Sequence, residues 1–125
     1  MIFDTDVLIW YQRGNEKAIK VLDMADSRMI AIQTYMELLQ GAKDKKQQQY
    51  IRDFMTEFGV TVLSLSEQIG YRAAIYIEEF SLSHGLRTGD AIIAATAVEN
   101  NIELMSGNRK HYSFIPGLKL KVFQP

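Results

Sequence analysis

Several oxygen-bearing side chains stand where buried strands of this 125-residue chain are predicted to end. Asp4 and Asp6 bracket Thr5 directly after an apolar opening, and Ser106 and Asn108 follow the apolar segment IELMS. A carboxylate at the end of a buried strand needs a cation to neutralise its charge or water to solvate it. Ligands of open α/β sheets collect beyond the carboxyl ends of the strands, so we expect these groups to meet at one sheet edge. Asp4 could equally be a simple helix N-cap, and the Ser-Gly-Asn stretch an ordinary turn.

Two further acids lie in segments with helical periodicity. Asp90 is the lone acid in the first turn of DAIIAATAV, a segment that is apolar nearly all round and is therefore expected to be a buried helix. Its carboxylate is either a favourable partner of the helix dipole, behind a Thr88 N-cap, or a metal ligand on a rigid element. Glu37 points away from the apolar stripe of its helix, so periodicity alone predicts a solvated side chain.

The elements that must position these acids alternate between short β-rich runs and longer segments with helical period. Such alternation predicts a three-layer α/β fold, in which a mostly parallel central sheet carries helices on both faces. No linker or repeat divides the chain, so residues 1–125 are predicted to form one domain. The predicted strands are IFD, MIAI, VTVLSL, IELMS and LKLKVF. The predicted helices cover 8–24, 34–42 and 50–58, the last after a charged break KDKKQQQ, and two more open at Ser66 and after Thr88.

Composition excludes some classes of function. The absence of cysteine removes disulfides and thiolate zinc sites. The hydrophobic and charged fractions, 47% and 23%, are those of an ordinary globular protein. A net charge of −1 argues against a protein that coats nucleic acid through bulk charge, but it allows an enzyme that contacts RNA locally. The chain opens on a strand-like segment without a secretory leader, so we expect a cytoplasmic protein with no membrane partner.

Taken in order and with their neighbours, the acidic residues resemble the motifs of the PIN-domain ribonucleases, and most closely those of the small VapC-type toxins of toxin–antitoxin pairs. The resemblance spans essentially the whole chain and is carried by FDTDV, YMELLQG, RTGDAIIAATA and ELMSGNRKHY. Within YMELLQG, Glu37-Leu38 followed by Gly41 matches the family's glutamate helix. Asn108 departs from the aspartate that many members have at this place, and Asp6 stands where relatives often have asparagine.

The resemblance implies a metal-dependent endoribonuclease with an acidic site for Mg²⁺ or Mn²⁺, ions that prefer hard oxygen ligands. Asp4, Glu37 and Asp90 are the implied metal ligands, and Asn108 is the implied fourth catalytic residue. Such ions activate water for attack on phosphorus and stabilise the leaving oxygen. His111, at a variable polar position of the family, is expected to pack or cap rather than act as a base. Six other residues are expected to support the ligands or contact RNA: Thr5, Asp6, Ser106, Arg87, Arg109 and Lys110.

The same resemblance implies three macromolecular partners, namely an RNA substrate, a cognate antitoxin protein and a second copy in a homodimer. A segment of the antitoxin would lie in an apolar groove near the active site. Candidates for that groove are Trp10, Tyr11, Met36 and Leu39. A further apolar patch, on the helix at 50–58 or on the helix at 71–80, would serve the homodimer.

Two other interpretations stay open. FDTDV also resembles the Asp-x-Asp-x-Val opening of haloacid-dehalogenase-type phosphatases, in which Asp4 would be the nucleophile and Asp6 the general acid and base. Asn108, at a position where aspartate is common, keeps open a catalytically inactive PIN-like binding module. A phosphatase would hydrolyse a small aryl phosphate, a nuclease would cut RNA but not that ester, and a binding module would do neither.

Overall fold

The computed structural model describes all residues, Met1–Pro125, and its centre is a five-stranded sheet in which every pairing is parallel. The strands are β1 (Ile2–Phe3), β2 (Arg28–Ala31), β3 (Val60–Leu63), β4 (Leu104–Ser106) and β5 (Leu120–Val122), in the spatial order β3-β2-β1-β4-β5. The seven helices are α1 (Thr5–Gln12), α2 (Glu16–Asp23), α3 (Ile32–Gly41), α4 (Lys45–Glu57), α5 (Glu67–His84), α6 (Thr88–Glu99) and α7 (Arg109–Tyr112). The predicted α/β fold with a parallel sheet is confirmed.

Two apolar cores lie on opposite faces of the sheet. Successive strand residues point to opposite faces, and the two residues of β1 divide accordingly. Ile2 and Leu104 belong to the core formed with α5 and α6. Phe3 and Met105, their strand neighbours, belong to the core formed with α1, α2 and α4. Helices on both faces confirm the predicted three layers.

The predicted helix over 8–24 is wrong as a single element, because α1 and α2 are separate helices. Gly14 has a φ of +80°, a backbone conformation that ends a right-handed helix and suits glycine. Asn15 then caps α2, its side chain accepting a hydrogen bond of 2.9 Å from the backbone N–H of Ala18. Both helices bury residues in the same core. The apolar periodicity therefore continues through the turn between them, and the pattern alone does not reveal the turn.

The charged stretch KDKKQQQ is not a break before the third helix, because α4 already begins at Lys45. The side chain of Asp44 caps this start by accepting a hydrogen bond of 2.8 Å from the backbone N–H of Gln47. Only one stripe of the helix is buried, at Ile51 and Met55. A solvated helix face and a loop have the same polar composition, so composition alone could not separate them.

The starts of the two long helices differ from each other. Ser66 caps α5 as predicted, accepting a hydrogen bond from the backbone N–H of Ile69. The predicted N-cap Thr88 is wrong, since Thr88 is already helical and Arg87 occupies the N-cap position without a capping hydrogen bond. None of the seven helices has both the length and the apolar character that crossing a membrane requires.

Candidate active site

Asp4, at the end of β1, is the most buried acid of the chain, with 3% of its surface exposed. One carboxylate oxygen accepts a hydrogen bond of 2.8 Å from the backbone N–H of Thr5, and the other accepts one of 2.7 Å from the hydroxyl of Ser106. Burial raises the pKa of Asp4 to about 6 and outweighs the lowering by its hydrogen bonds to Ser106 and Thr5, and the charges of Asp6 and Asp90 add smaller increases. Asp4 therefore caps α1 and is also a strongly desolvated carboxyl group.

Ser106, at the end of β4, lies beside Asp4 because β1 and β4 are paired neighbours. The Ser106 side chain is fully buried. Its hydroxyl donates to Asp4 and accepts a hydrogen bond of 3.0 Å from the backbone N–H of Asn108. With no exposed surface, Ser106 cannot contact RNA, and its contact with Asp4 makes it a support for that carboxylate.

Asp6 ties the first turn of α1 to the turn that follows β4. Its Oδ2 accepts a hydrogen bond of 2.8 Å from the backbone N–H of Gly107. A side chain at position 107 would place its Cβ 2.8 Å from that oxygen and 3.1 Å from the carbonyl oxygen of Phe123, so glycine is required for this approach. The other oxygen, Oδ1, is buried without a hydrogen-bond partner, and burial raises the pKa of Asp6. An unpaired buried oxygen at this position is an available cation ligand.

Glu37, on α3, is half-buried, so the solvated side chain predicted from periodicity is wrong. The Thr5 hydroxyl donates a hydrogen bond of 3.2 Å to Glu37 Oε1 and lies 3.1 Å from the hydroxyl of Thr34. Burial raises the pKa of Glu37, and the charge of Asp90 adds to that effect. The packing of α3 against α1 and α6 brings this helix face into the protein, which periodicity within one helix does not record.

Asp90, in the first turn of α6, is close enough to act electrostatically on each of the other three acids. Burial is the main cause of the raised pKa values of Asp4, Asp6 and Glu37, and the negative charge of Asp90 raises all three further. Like charges in one site disfavour ionisation of each other. The four carboxyl groups therefore form one electrostatic unit, which we call the acid edge: Asp4, Asp6, Glu37 and Asp90.

Two consecutive residues of α7 contact Asp90. The hydroxyl of Tyr112 donates to its Oδ1 at 3.3 Å, and Nδ1 of His111 lies 3.0 Å from its Oδ2. The prediction that His111 packs or caps is wrong, because its side chain is 52% exposed and meets a carboxylate. Tyr112 was not predicted as a site residue. A tyrosine one helical turn after a polar strand end could have indicated it, because the hydroxyl of a buried tyrosine needs a hydrogen-bond partner.

Asn108 does not join this hydrogen-bonded group through its side chain. It stands at the N-cap of α7, exposed, and its amide makes no capping hydrogen bond. Only its backbone N–H contributes, by donating to Ser106. The predicted RNA-contacting residues Arg87, Arg109 and Lys110 are exposed and form no ion pair, so their charges are available to a phosphate.

The donor set suits a hard divalent cation better than any other group. The acid edge itself offers only carboxylate oxygens, with the His111 ring beside Asp90. The oxygen of Asp6 that has no hydrogen-bond partner adds to the desolvated carboxyl of Asp4. No three acidic or histidine side chains are grouped closely enough to hold an ion unaided. Mg²⁺ keeps several waters and binds through one or two carboxylates plus substrate phosphate. The residues therefore fit a hydrated Mg²⁺ or Mn²⁺ ion, and they do not fit a ready-made protein cage.

Three of the four residues expected near an antitoxin groove, Trp10, Tyr11 and Leu39, lie against the protein's own core. Tyr11 packs against Phe54 and Phe58, with ring centroids 5.2 Å and 5.5 Å away, and Leu39 packs against the core on the same side of the sheet. Met36, by contrast, is 46% exposed. Of the predicted groove residues, Met36 is thus the most accessible to a partner.

A parallel three-layer fold with acids at the carboxyl edge of its sheet defines the class to which this chain belongs. Residues 1–114 match the family model described as PIN domain, and the chain is a member of the PIN-domain family. Within that family it is related to the VapC toxins of VapBC toxin–antitoxin systems. The segment FDTDV accordingly opens a PIN domain, and the family supports no phosphatase reading of it.

Three relatives illustrate this kinship. The ribonuclease VapC1 of Methanocaldococcus jannaschii is 26% identical over 123 residues, which cover 98% of this chain and 86% of that protein. A chain of a toxin-antitoxin complex from Klebsiella pneumoniae is 31% identical with a TM-score of 0.78, covering 94% of this chain and 93% of that one. VapBC2 from Rickettsia felis, solved bound to a DNA fragment from its promoter, has a TM-score of 0.80 at 21% identity, covering 99% of this chain and 100% of that one. This last likeness shows the fold alone.

Proposed function

We propose that this chain is a metal-dependent endoribonuclease and the toxin component of a toxin–antitoxin pair. The observation that carries the proposal is the acid edge, in which burial and mutual repulsion raise the pKa values of Asp4, Asp6 and Glu37 around Asp90. Titratable groups with such perturbed pKa values cluster at functional sites. The kinship with ribonuclease VapC1 supports the choice of RNA as substrate.

Asp4, Glu37 and Asp90 would hold the Mg²⁺ or Mn²⁺ ion, with Asp6 beside them. When bound, the ion supplies positive charge that activates water and stabilises the developing charge on the scissile phosphate. The protein's own contribution is orientation. Ser106 and the backbone of Thr5 fix the two oxygens of Asp4, and the Thr5 hydroxyl fixes Glu37. In hydrolysis the attacking water forms the new P–O bond and loses its proton, while the leaving ribose oxygen gains one.

The RNA backbone would be held by the exposed basic residues Arg87, Arg109 and Lys110. Arg87 stands at the N-cap of α6, directly before the first turn, which carries Asp90, and Arg109 and Lys110 open α7. The acid edge repels a phosphate unless a cation is present, so cation binding and substrate binding are expected to depend on each other. Asn108, in the exposed turn directly before Arg109, would add an uncharged contact to the RNA through the oxygen or the NH₂ group of its side-chain amide.

The proposed partners are an antitoxin and a second copy of the chain. A relative from Klebsiella pneumoniae has been solved as a toxin-antitoxin complex, which supports an antitoxin as partner here. Both helices predicted to carry a dimer patch do expose large apolar side chains. Tyr50 lies on α4, and α5 carries Tyr71, Ile75 and Leu82.

The decisive experiment is cleavage of end-labelled structured RNA by purified, antitoxin-free protein with Mg²⁺ or Mn²⁺. We expect discrete cuts that disappear in excess chelator and in the Asp90→Asn variant, which keeps the size and shape of the side chain. Cuts that survive both controls would contradict the proposal. Failure of the wild type to cut any RNA, together with no release of phosphate from an aryl ester, would favour the inactive binding module.

A further inference from the structure

Asp90 is held at both of its carboxylate oxygens by α7. Tyr112 donates to Oδ1 and His111 contacts Oδ2, at 3.3 Å and 3.0 Å. These two residues are adjacent in the chain, and they belong to a helix of one turn that packs against α6. A carboxylate held at both oxygens loses freedom to rotate about its Cβ–Cγ bond.

The hydroxyl of Tyr112 has a specific place in the core. Tyr112 is 1% exposed and lies among the apolar residues between the sheet and α6. A phenylalanine would fill the same space, and a buried hydroxyl is costly unless it is hydrogen-bonded. Burial raises the pKa of Tyr112, and the neighbouring charges of Asp4 and Asp90 raise it further. The hydroxyl is therefore a neutral donor lying close to two acids that repel each other.

We propose that Tyr112 and His111 form a clamp that positions Asp90 for the cation, a role that rests on the proposed metal-dependent function. Tyr112 is a positioning residue, since its buried side chain can reach neither RNA nor solvent. His111 acts from the exposed side and fixes the second oxygen. Partners that orient metal-binding carboxylates typically change metal affinity or activity by about 10–100-fold when they are removed.

The first test measures cation affinity without RNA. Mn²⁺ would be titrated into the full-length protein and its free fraction followed by electron paramagnetic resonance. We expect Tyr112→Phe to bind Mn²⁺ about 10-fold more weakly than the wild type. The matched control is Tyr76→Phe on α5, where an equally buried tyrosine has a hydroxyl without a hydrogen-bond partner. Tyr76→Phe should retain wild-type affinity, and thermal melting would confirm that both variants fold.

The second test separates positioning from RNA binding. In Tyr112→Phe we expect RNA cleavage to slow at limiting Mn²⁺, and excess Mn²⁺ to return both kcat and the KM for RNA close to their wild-type values, whereas a defect in RNA binding itself would persist in excess Mn²⁺. For the exposed half of the clamp, His111→Asn retains a side-chain N–H donor and should keep more Mn²⁺ affinity than His111→Ala. A general loss of fold would not show this rescue pattern.

The outcomes separate the clamp from the function on which it rests. If the wild type binds Mn²⁺ and cuts RNA while Tyr112→Phe matches Tyr76→Phe in affinity and kcat, the clamp is refuted and the nuclease stands. If the wild type neither binds Mn²⁺ nor cuts RNA, the proposed function is refuted and the clamp with it. Weaker Mn²⁺ binding in Tyr112→Phe alone supports the clamp.

Discussion

Two junctions of this protein pass directly from a strand into a helix at the same edge of the sheet. β1 enters α1 through Asp4, and β2 enters α3 through Ala31, each with extended backbone. Both residues are buried, with exposures of 3% and 0%. Asp4 caps its helix with a side-chain oxygen, whereas Ala31 makes no capping hydrogen bond. A small apolar residue is thus sufficient to build such a junction here.

The carboxylate at the first junction therefore needs a reason other than the fold. Burial raises the pKa of Asp4 to about 6, which means that its surroundings disfavour the charged form. At neutral pH that carboxyl is nevertheless largely ionised, and a cation would relieve the cost. Under the proposed function, the Asp4 junction would contribute a cation ligand, while the Ala31 junction would contribute only to the architecture of the sheet edge.

The largest expected effect comes from removing the charge at the first junction. Asp4→Asn should reduce metal-dependent RNA cleavage about 1,000-fold, because stabilisation of phosphoryl charge by a metal ion contributes several kcal/mol. Cleavage of end-labelled RNA measures the loss. Ala31→Ser, which adds a capping hydroxyl at the second junction, should leave cleavage close to wild type. Equal losses in the two variants would break the comparison.

A smaller effect concerns stability and pH. In the folded, metal-free protein Asp4 keeps its proton up to about pH 6, whereas in the unfolded chain it releases it near 3.8. The folded state then binds more protons within this window, so the free energy of unfolding should fall as the pH rises through it. The shift corresponds to about 3 kcal/mol. Urea unfolding at both ends of the window should show this fall in wild type beyond that of Asp4→Asn, and parallel curves for the two would contradict it.

The turn that supports the first junction provides a sharper test of packing. Gly107→Ala should destabilise the protein by about 1–3 kcal/mol, because its Cβ would crowd the Asp6 carboxylate and the Phe123 carbonyl oxygen. Gly70→Ala, in α5 with no atom within 4 Å of the added Cβ, should instead stabilise it by about 0.5–1 kcal/mol. Chemical denaturation measures both. A neutral Gly107→Ala would show that Asp6 is not held as described.

The smallest effect is expected at the exposed rim of the acid edge. Arg109→Gln should weaken RNA binding only a few-fold and reduce the salt dependence of binding by about one unit of slope. Lys119→Gln, just before β5 and therefore at the opposite edge of the parallel sheet, serves as the control. Filter binding at several salt concentrations measures both slopes. An unchanged slope for Arg109→Gln would show that Arg109 does not contact the RNA backbone.

Local signals account for the parts of the fold that could be predicted from sequence. The alternation of β-rich and helical segments led to the parallel sheet, and Ser66 identified the start of α5, since both depend on neighbours in the chain. Gly14 was the missed local signal. It ends α1, yet the apolar pattern on both sides of it serves one core.

The site divides in the same way. Asp4 and Ser106 could be placed together because both end strands of a parallel sheet, and those strands are neighbours. Glu37 could not be placed from its own helix, because its burial arises from contacts of α3 with other helices. His111 and Tyr112 reach Asp90 from another element, and no spacing within the chain encodes that contact.

The sequence by itself determined the alternation of β-rich and helical segments along the chain, the oxygen-only chemistry of its acids and, through its motifs, its family. Those properties depend on residue type and on short-range periodicity. Tertiary structure alone decided which acids lose water, which of them repel each other and which side chains orient Asp90. Burial and electrostatic coupling depend on distances across the fold, and those distances exist only after the sheet and its helices have packed.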